Sequence, residues 1–326
     1  MIKIEVPKGT RKSINDKHKE YVERTSLQRL EKRIKAHDIG DMRCRLLKAL
    51  FGETENERRE CIIDVCLSTD LEDKLRCFNN AFKNLYGFKF ESELKEHNKI
   101  IADTRTVLDH ILNYDGFNVG GLLSGGKIWN RHIFITSLGI KVCPYCNRQY
   151  ITSYENDEAE SKTTADADHY YPKAQYPILQ MNIFNLVPSC NVCNSKMKGA
   201  SMRRHLYPYE DASDSMVFEL PVEIGDRVSE IIIDTKMNHK AEASKDVFKL
   251  DKIYQAHLDE TSEIKERART YFEHCEKAYE ATSGLNVPFN IFAAWFGFMG
   301  KDISSEPLIK LKQDIFNQLK AEFEKC

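Results

Sequence analysis

The chain has 326 residues, 41% of them hydrophobic and 30% charged, which is enough apolar content for one large domain or two to three smaller ones. A formal net charge of −2 does not by itself indicate a nucleic-acid-binding protein, and ten cysteines in this length exclude a disulfide-rich scaffold. The first residues are charged and no apolar run is long enough to span a bilayer. We therefore expect a cytoplasmic protein with reduced thiols.

The first part of the chain predicts a helical region. Apolar residues recur at helical spacing among charged neighbours from Ser13 to Asn113, where Gly and Pro are scarce. A Gly-rich segment, Gly116 to Gly126, then suggests a flexible joint and a boundary. It contains a G-x₄-G-K pattern, but Ile128 stands where a phosphate-binding loop needs Ser or Thr. We assign residues 1–126 to a helical N-terminal region and expect it to form a partner interface.

The remaining chain predicts two further regions. Residues 127–210 begin with a short apolar helix and continue with clustered Cys, Pro, Tyr and Asn, as expected of a compact metal-binding core. Residues 211–326 predict two strands, Met216–Leu220 and Glu230–Asp234, then a long helix from Lys245 to Thr282 and a final amphipathic helix. The fold class expected from this order is α+β, with a small core flanked by helical regions.

Two CxxC pairs are the most specific motif in the chain. In a reducing compartment, paired CxxC motifs separated by a folded interval predict one shared tetrahedral zinc site rather than disulfides. Redox exchange is the alternative, which two pairs make less favourable. The predicted structural zinc ligands are Cys143, Cys146, Cys190 and Cys193.

The interval between the pairs carries groups suited to hydrolysis. Asp168 and Asn194 offer oxygen ligands that suit Mg²⁺ or Mn²⁺, and His169 offers an imidazole that can take a proton near neutral pH. Asp168 and His169 end a predicted strand, and Asn185 begins a return strand or a loop. The second CxxC pair opens a helix, so that zinc would fasten the hairpin to the helix bearing Asn194.

Basic residues surround these groups. The stretch 173–204 has five Lys or Arg and no acidic residue. Such a patch predicts phosphate binding, although an ordinary solvated surface would give the same pattern. The candidate nucleic-acid-binding residues are Lys173, Lys196, Lys198, Arg203 and Arg204.

The order Cys143-Pro-Tyr-Cys146, Asp168-His169, Asn185, Cys190-x-x-Cys193-Asn194 resembles the zinc-stapled HNH endonucleases. The resemblance covers about seventy of the 326 residues. The sequence segments around the motif are most similar to the PtuB subunits of Septu-type and retron-associated anti-phage systems. It implies a ββα-metal core with one catalytic divalent cation. By position, His169 matches the general base, Asp168 and Asn194 match the cation ligands, and Asn185 matches the residue that steadies the hairpin and orients the base.

The resemblance also implies partners and a role. PtuB proteins pair with an ABC-type ATPase, PtuA, so an ATPase of this kind is the expected partner. The expected activity is cleavage of DNA in antiviral defence, with RNA such as tRNA as an alternative substrate. A third possibility is a zinc module that binds nucleic acid without cleaving it, in which Asp168 and His169 would be structural.

Overall fold

The computed structural model describes residues 1–36, 41–91, 93–155, 161–221, 227–284 and 294–324. They form two compact units that are not consecutive stretches of chain. The first, here called the helical unit, comprises Glu5–Gly139 and Ser153–Pro188. The second, the cysteine unit, comprises Met1–Ile4, Ile140–Thr152 and Ser189–Cys326. Helices and small two-stranded sheets together are compatible with the α+β class, whereas the ranges 1–126, 127–210 and 211–326 stay a prediction.

The helical unit confirms the predicted helical character of the first part of the chain. Its helices are α1 (Lys8–Val22), α2 (Gln28–Lys35), α3 (Met42–Phe51), α4 (Glu55–Leu67), α5 (Leu71–Tyr86), α6 (Asn98–Leu112), α7 (Tyr114–Val119) and α8 (Arg131–Ser137). A π-helical turn, Glu23–Leu27, joins α1 to α2. Helix α4 begins with a capping box in which Thr54 and Glu57 satisfy each other's backbone amides, so its start is encoded locally.

Three pairs of strands belong to the helical unit. They are β1 (Gly121–Leu122) with β2 (Ile128–Trp129), β3 (Ser153–Glu155) with β4 (Ser161–Thr163), and β5 (Asp166–His169) with β6 (Leu186–Ser189), whose last residue is grouped with the cysteine unit. The strand that ends at His169 and the return strand after Asn185 are therefore present as expected.

The Gly-rich segment contains the end of α7, up to Val119, and then a hairpin, so it is not an extended linker. Leu123 N–H donates to the Lys127 carbonyl at 2.7 Å, and Gly125 and Gly126 turn the chain with φ values of 78° and 75°. The hairpin is fastened to the π-helical turn after α1, because Arg24 Nη2 donates to Ser124 Oγ at 2.7 Å. Glycines are required here for left-handed backbone conformation, which explains the pattern that looked like a phosphate-binding loop.

The cysteine unit contains the remaining elements. They are β7 (Val217–Glu219) with β8 (Ile232–Asp234) as an antiparallel pair, α9 (His239–Val247), α10 (Leu250–Ile253), α11 (Leu258–Thr270), α12 (Glu276–Ser283) and α13 (Ile309–Phe323). The prediction of one helix from Lys245 to Thr282 is wrong in its first third. Lys249 adopts φ 50°, and the turn Tyr254–His257 separates α10 from α11. Within the described residues, no helix combines the length and apolar character needed to cross a bilayer.

Candidate metal centre and catalytic residues

The first CxxC pair lies in a tight turn between two short extended segments. Ile151 N–H donates to the Lys141 carbonyl and Cys143 N–H to the Gln149 carbonyl, each at 2.9 Å. Asn147 follows the second cysteine in the left-handed region, with φ 49°. Asn can adopt this conformation at a smaller cost than most residues, which accounts for an Asn directly after the motif. The turn therefore holds both thiols of the pair on one side.

Contacts in the cysteine unit hold this turn rigidly. Asn147 is fully buried; its Oδ1 accepts from Lys310 N–H at 3.1 Å, and its Nδ2 donates to the Ile303 carbonyl at 3.0 Å. Leu308 N–H donates to the Asn147 carbonyl at 2.7 Å. The Tyr254 hydroxyl donates to the Cys146 carbonyl. The start of α13 is thus fastened to the first cysteine pair through one asparagine.

The second CxxC pair opens a π-helical segment, Val192–Lys198. Cys193 N–H lies 3.5 Å from Cys190 Sγ, and Asn194 N–H donates to the Cys190 carbonyl at 3.0 Å. In the first pair, Arg148 N–H lies 3.5 Å from Cys146 Sγ in the same way. Backbone N–H groups directed at sulfur stabilise thiolates, which are the metal-binding form of cysteine.

All four cysteines meet in the cysteine unit. Their Sγ atoms lie within 4.8 Å of one another, and all four residues are buried. A tetrahedral site with Zn–S bonds of about 2.3 Å separates its sulfurs by about 3.8 Å, so a zinc ion fits this cluster with small side-chain adjustments. The sequence prediction of a four-cysteine cluster is confirmed, and the cluster can hold a metal such as zinc.

Crowding of the thiols favours a bound cation. Hydrogen bonds from Cys143, Cys146 and Cys193 lower the pKa of the Cys190 thiol, because they stabilise its thiolate. Burial raises the pKa of Cys143. Four buried thiols therefore cannot all ionise without a cation among them, and a divalent ion would supply the missing charge.

His169 ends strand β5 in the helical unit and is half-buried. Its Nε2 lies 3.0 Å from the Gln180 carbonyl oxygen. A carbonyl only accepts, so Nε2 carries the proton, and Nδ1 is the basic nitrogen of the neutral ring. Asp168, the residue before it, is only 2% exposed. A histidine with one nitrogen committed as donor and the other basic is the arrangement a general base needs.

Asn185 ties together the turn that follows β5. It is fully buried; Oδ1 accepts from Tyr171 N–H at 2.8 Å, and Nδ2 donates to the carbonyls of Tyr171 at 3.1 Å and Leu179 at 3.2 Å. Its own carbonyl accepts from Tyr170 N–H at 2.9 Å. These bonds fix the chain on both sides of the hairpin and are those expected of a residue that steadies it. Its effect on catalysis stays a prediction.

The remaining predicted ligand lies in the other unit. Asn194 is half-buried in the π-helical segment of the cysteine unit, directly after the second CxxC pair. Asp168, His169 and Asn185 belong to the helical unit. The structure thus brings the four cysteines together in one unit and Asp168, His169 and Asn185 together in one hairpin of the other. Shared binding of a cation by Asp168 and Asn194 stays a prediction.

The five basic candidates have different surroundings. Lys173 Nζ pairs with Asp115 at 3.1 Å, and Arg203 pairs with Asp246 at 2.7 Å. Lys198 is 3% exposed. The other four, Lys173, Lys196, Arg203 and Arg204, are exposed. Exposed ion pairs contribute little and exchange readily with phosphate, so these pairs do not prevent binding of nucleic acid.

Two residues that contact His169 are not predicted by the sequence. The Tyr114 ring packs edge-on against His169, with centroids 4.4 Å apart, and Gln180 supplies the carbonyl that holds its Nε2. Tyr114 is 55 positions from His169, and no local pattern marks such a contact. His205, which lies in the cysteine unit, packs against Tyr145 and Phe248. Burial lowers its pKa to about 4.

Comparison of the chain with protein-family models, with curated proteins and with solved structures found no match.

Proposed function

We propose that the chain is a metal-dependent endonuclease of the HNH type, which hydrolyses phosphodiester bonds in nucleic acid, with DNA favoured. The observation that carries this proposal is the hairpin of β5 and β6. There His169 has its Nε2 proton committed to a carbonyl, and the fully buried Asn185 ties the turn beside it. A four-cysteine cluster in the same chain supports the zinc-stapled form of this class.

The chain's own His169 supplies the base for hydrolysis. His169 Nδ1 takes a proton from water, the oxygen attacks phosphorus, and the bond from phosphorus to the 3′ oxygen breaks; the departing oxygen takes its proton from solvent water. The products carry 5′-phosphate and 3′-hydroxyl ends. Asp168 and Asn194 are the ligands that the resemblance implies for Mg²⁺ or Mn²⁺, which when bound stabilises charge on the phosphate and on the departing oxygen.

The setting that we propose is antiviral defence with an ABC-type ATPase partner. The sequence segments around the motif are similar to those of PtuB proteins. One of them is Asp168-His169-Tyr170-Tyr171-Pro172-Lys173. The first 50 residues carry 14 basic against 7 acidic residues, and helices α1 to α3 of the helical unit begin within this stretch. A basic helical surface is suited to an acidic partner surface, which would control when the nuclease acts.

The test is cleavage of plasmid DNA and of total tRNA with Mg²⁺ or Mn²⁺, with and without the product of a neighbouring ATPase gene. Metal-dependent cutting with ligatable 5′-phosphate ends is the expected result, and the degraded pool identifies the substrate class. His274→Ala, which removes an exposed histidine of the cysteine unit, is the matched control for His169→Ala. Nucleic-acid binding without cutting under every condition would instead indicate a non-catalytic zinc module.

A further inference from the structure

The ring of His169 is contacted by the first residue of α7. Tyr114 is 8% exposed, and its ring centroid lies 4.4 Å from that of His169 with an interplanar angle of 72°. Edge-to-face packing at this distance is a favoured geometry for aromatic pairs. The tyrosine therefore restricts rotation of the imidazole about its side-chain bonds.

Tyr114 is itself held in place. The Arg131 guanidinium lies close enough to its hydroxyl to act on it electrostatically, and Lys173 Nζ lies 5.3 Å from its ring centroid. Asn113 joins α6 to α7 in the left-handed conformation, with φ 48°, and its Oδ1 accepts from Gly116 N–H at 3.2 Å. The helix junction thus determines where the ring lies.

The second support of His169 leads to the same junction. The Gln180 carbonyl accepts from His169 Nε2, while the Gln180 side chain donates to Asp109 Oδ1 at 2.9 Å and to the Pro177 carbonyl at 3.0 Å. Asp109 lies in the last turn of α6, five positions before Tyr114. Both supports of the imidazole are therefore attached to residues 109–114.

We propose that the junction of α6 and α7 sets the orientation of His169, with Tyr114 as a positioning residue. The catalytic meaning of this rests on the proposed function. A general base must point at the attacking water, and a small misplacement of the ring costs rate without changing how substrate binds. A partner that moves this junction would regulate cleavage through the orientation of one histidine.

The kinetic test compares Tyr114→Leu with Tyr114→Phe. The Leu variant loses the ring, so kcat falls about tenfold while KM stays within about twofold. The Phe variant keeps the ring and recovers most of the lost rate. Phe82→Leu is the matched control, because Phe82 is a fully buried ring of the helical unit that packs on Phe78 and Phe90, away from α7. All variants are compared at equal zinc content and at a temperature at which each of them is folded.

A second readout does not depend on nuclease activity. In chain labelled with ¹⁵N-histidine at pH 8, the His169 signals, identified by their loss in His169→Ala, are expected in the Nε2–H tautomer. Tyr114→Leu should shift them and mix the tautomers, whereas Tyr114→Phe and Phe82→Leu should leave them as in the wild type. Unchanged His169 signals in Tyr114→Leu would overturn the proposal. If the wild type cuts nothing, the proposed function fails, and the spectrum alone decides the positioning.

Discussion

Histidine 18 makes the stability of the helical unit depend on pH. It is fully buried in α1; Nε2 donates to the Met181 carbonyl at 2.9 Å, and Nδ1 accepts from Trp129 Nε1 at 3.2 Å. A proton on Nδ1 would face the indole N–H, so the neutral ring is the form that fits. Burial lowers the pKa of His18 from 6.5 to about 4.

The size of the effect follows from linkage. Between pH 6.5 and about 4 the unfolded chain binds a proton at His18 that the folded chain does not, so stability falls as pH falls. The stability that the neutral, buried His18 contributes is fully present above pH 6.5. A difference of about 2.5 pKa units corresponds to about 3 kcal/mol, lost at up to about 1.4 kcal/mol per pH unit.

Urea unfolding followed by Trp129 fluorescence measures this effect. Trp295→Phe removes the only other tryptophan, so the signal reports on the helical unit. The variant His18→Gln is made in the Trp295→Phe protein and keeps one donor and one acceptor. Between pH 8 and pH 4, we expect its free energy of unfolding to fall by about 3 kcal/mol less than that of the Trp295→Phe parent. Equal pH slopes for parent and variant would show that His18 does not carry this dependence.

Three further changes test the packing of each unit. Cys190→Ser should reduce bound zinc from about one ion per chain to a small fraction, measured by metal analysis, and should destabilise the cysteine unit; full zinc content would contradict the shared site. Asn185→Ala leaves three buried hydrogen bonds unmade and should cost about 3 kcal/mol in urea unfolding, with loss of cleavage. Loss of stability without loss of cleavage at a temperature where the variant is folded would contradict its role in the site. Arg58 Nε lies 2.6 Å from the buried Glu31 carboxylate. Arg58→Ala leaves this carboxylate without its partner and should lower the free energy of unfolding by about 3–5 kcal/mol in the same assay. The double variant Arg58→Met with Glu31→Leu removes both charges and should lower it less.

Local motifs explain what the sequence predicted well. A few adjacent residues determine each of three features: the CxxC pairs, the strand that ends at His169 and the return strand after Asn185. Helical periodicity identified most of the helical unit for the same reason. The break at Lys249 was missed because a lysine in the left-handed conformation carries no mark in the pattern of apolar residues.

Contacts between distant residues explain what was missed. Met1–Ile4 belong to the cysteine unit because Ile2 N–H donates to the Pro144 carbonyl at 2.8 Å and Ile4 N–H to the Pro208 carbonyl at 2.7 Å. Periodicity within a segment cannot reveal such pairings. His18 reads as one more polar residue in a charged helix, yet it lies in the core between Met181 and Trp129.

The most direct test of the central claim is single-turnover cleavage of plasmid DNA by zinc-loaded wild type and His169→Ala, with and without Mn²⁺. The account predicts cutting that requires Mn²⁺ and falls by about 10²–10⁴-fold in the variant, as expected for loss of a general base. Cutting by both proteins at equal rates would contradict the assignment of His169 as the catalytic base.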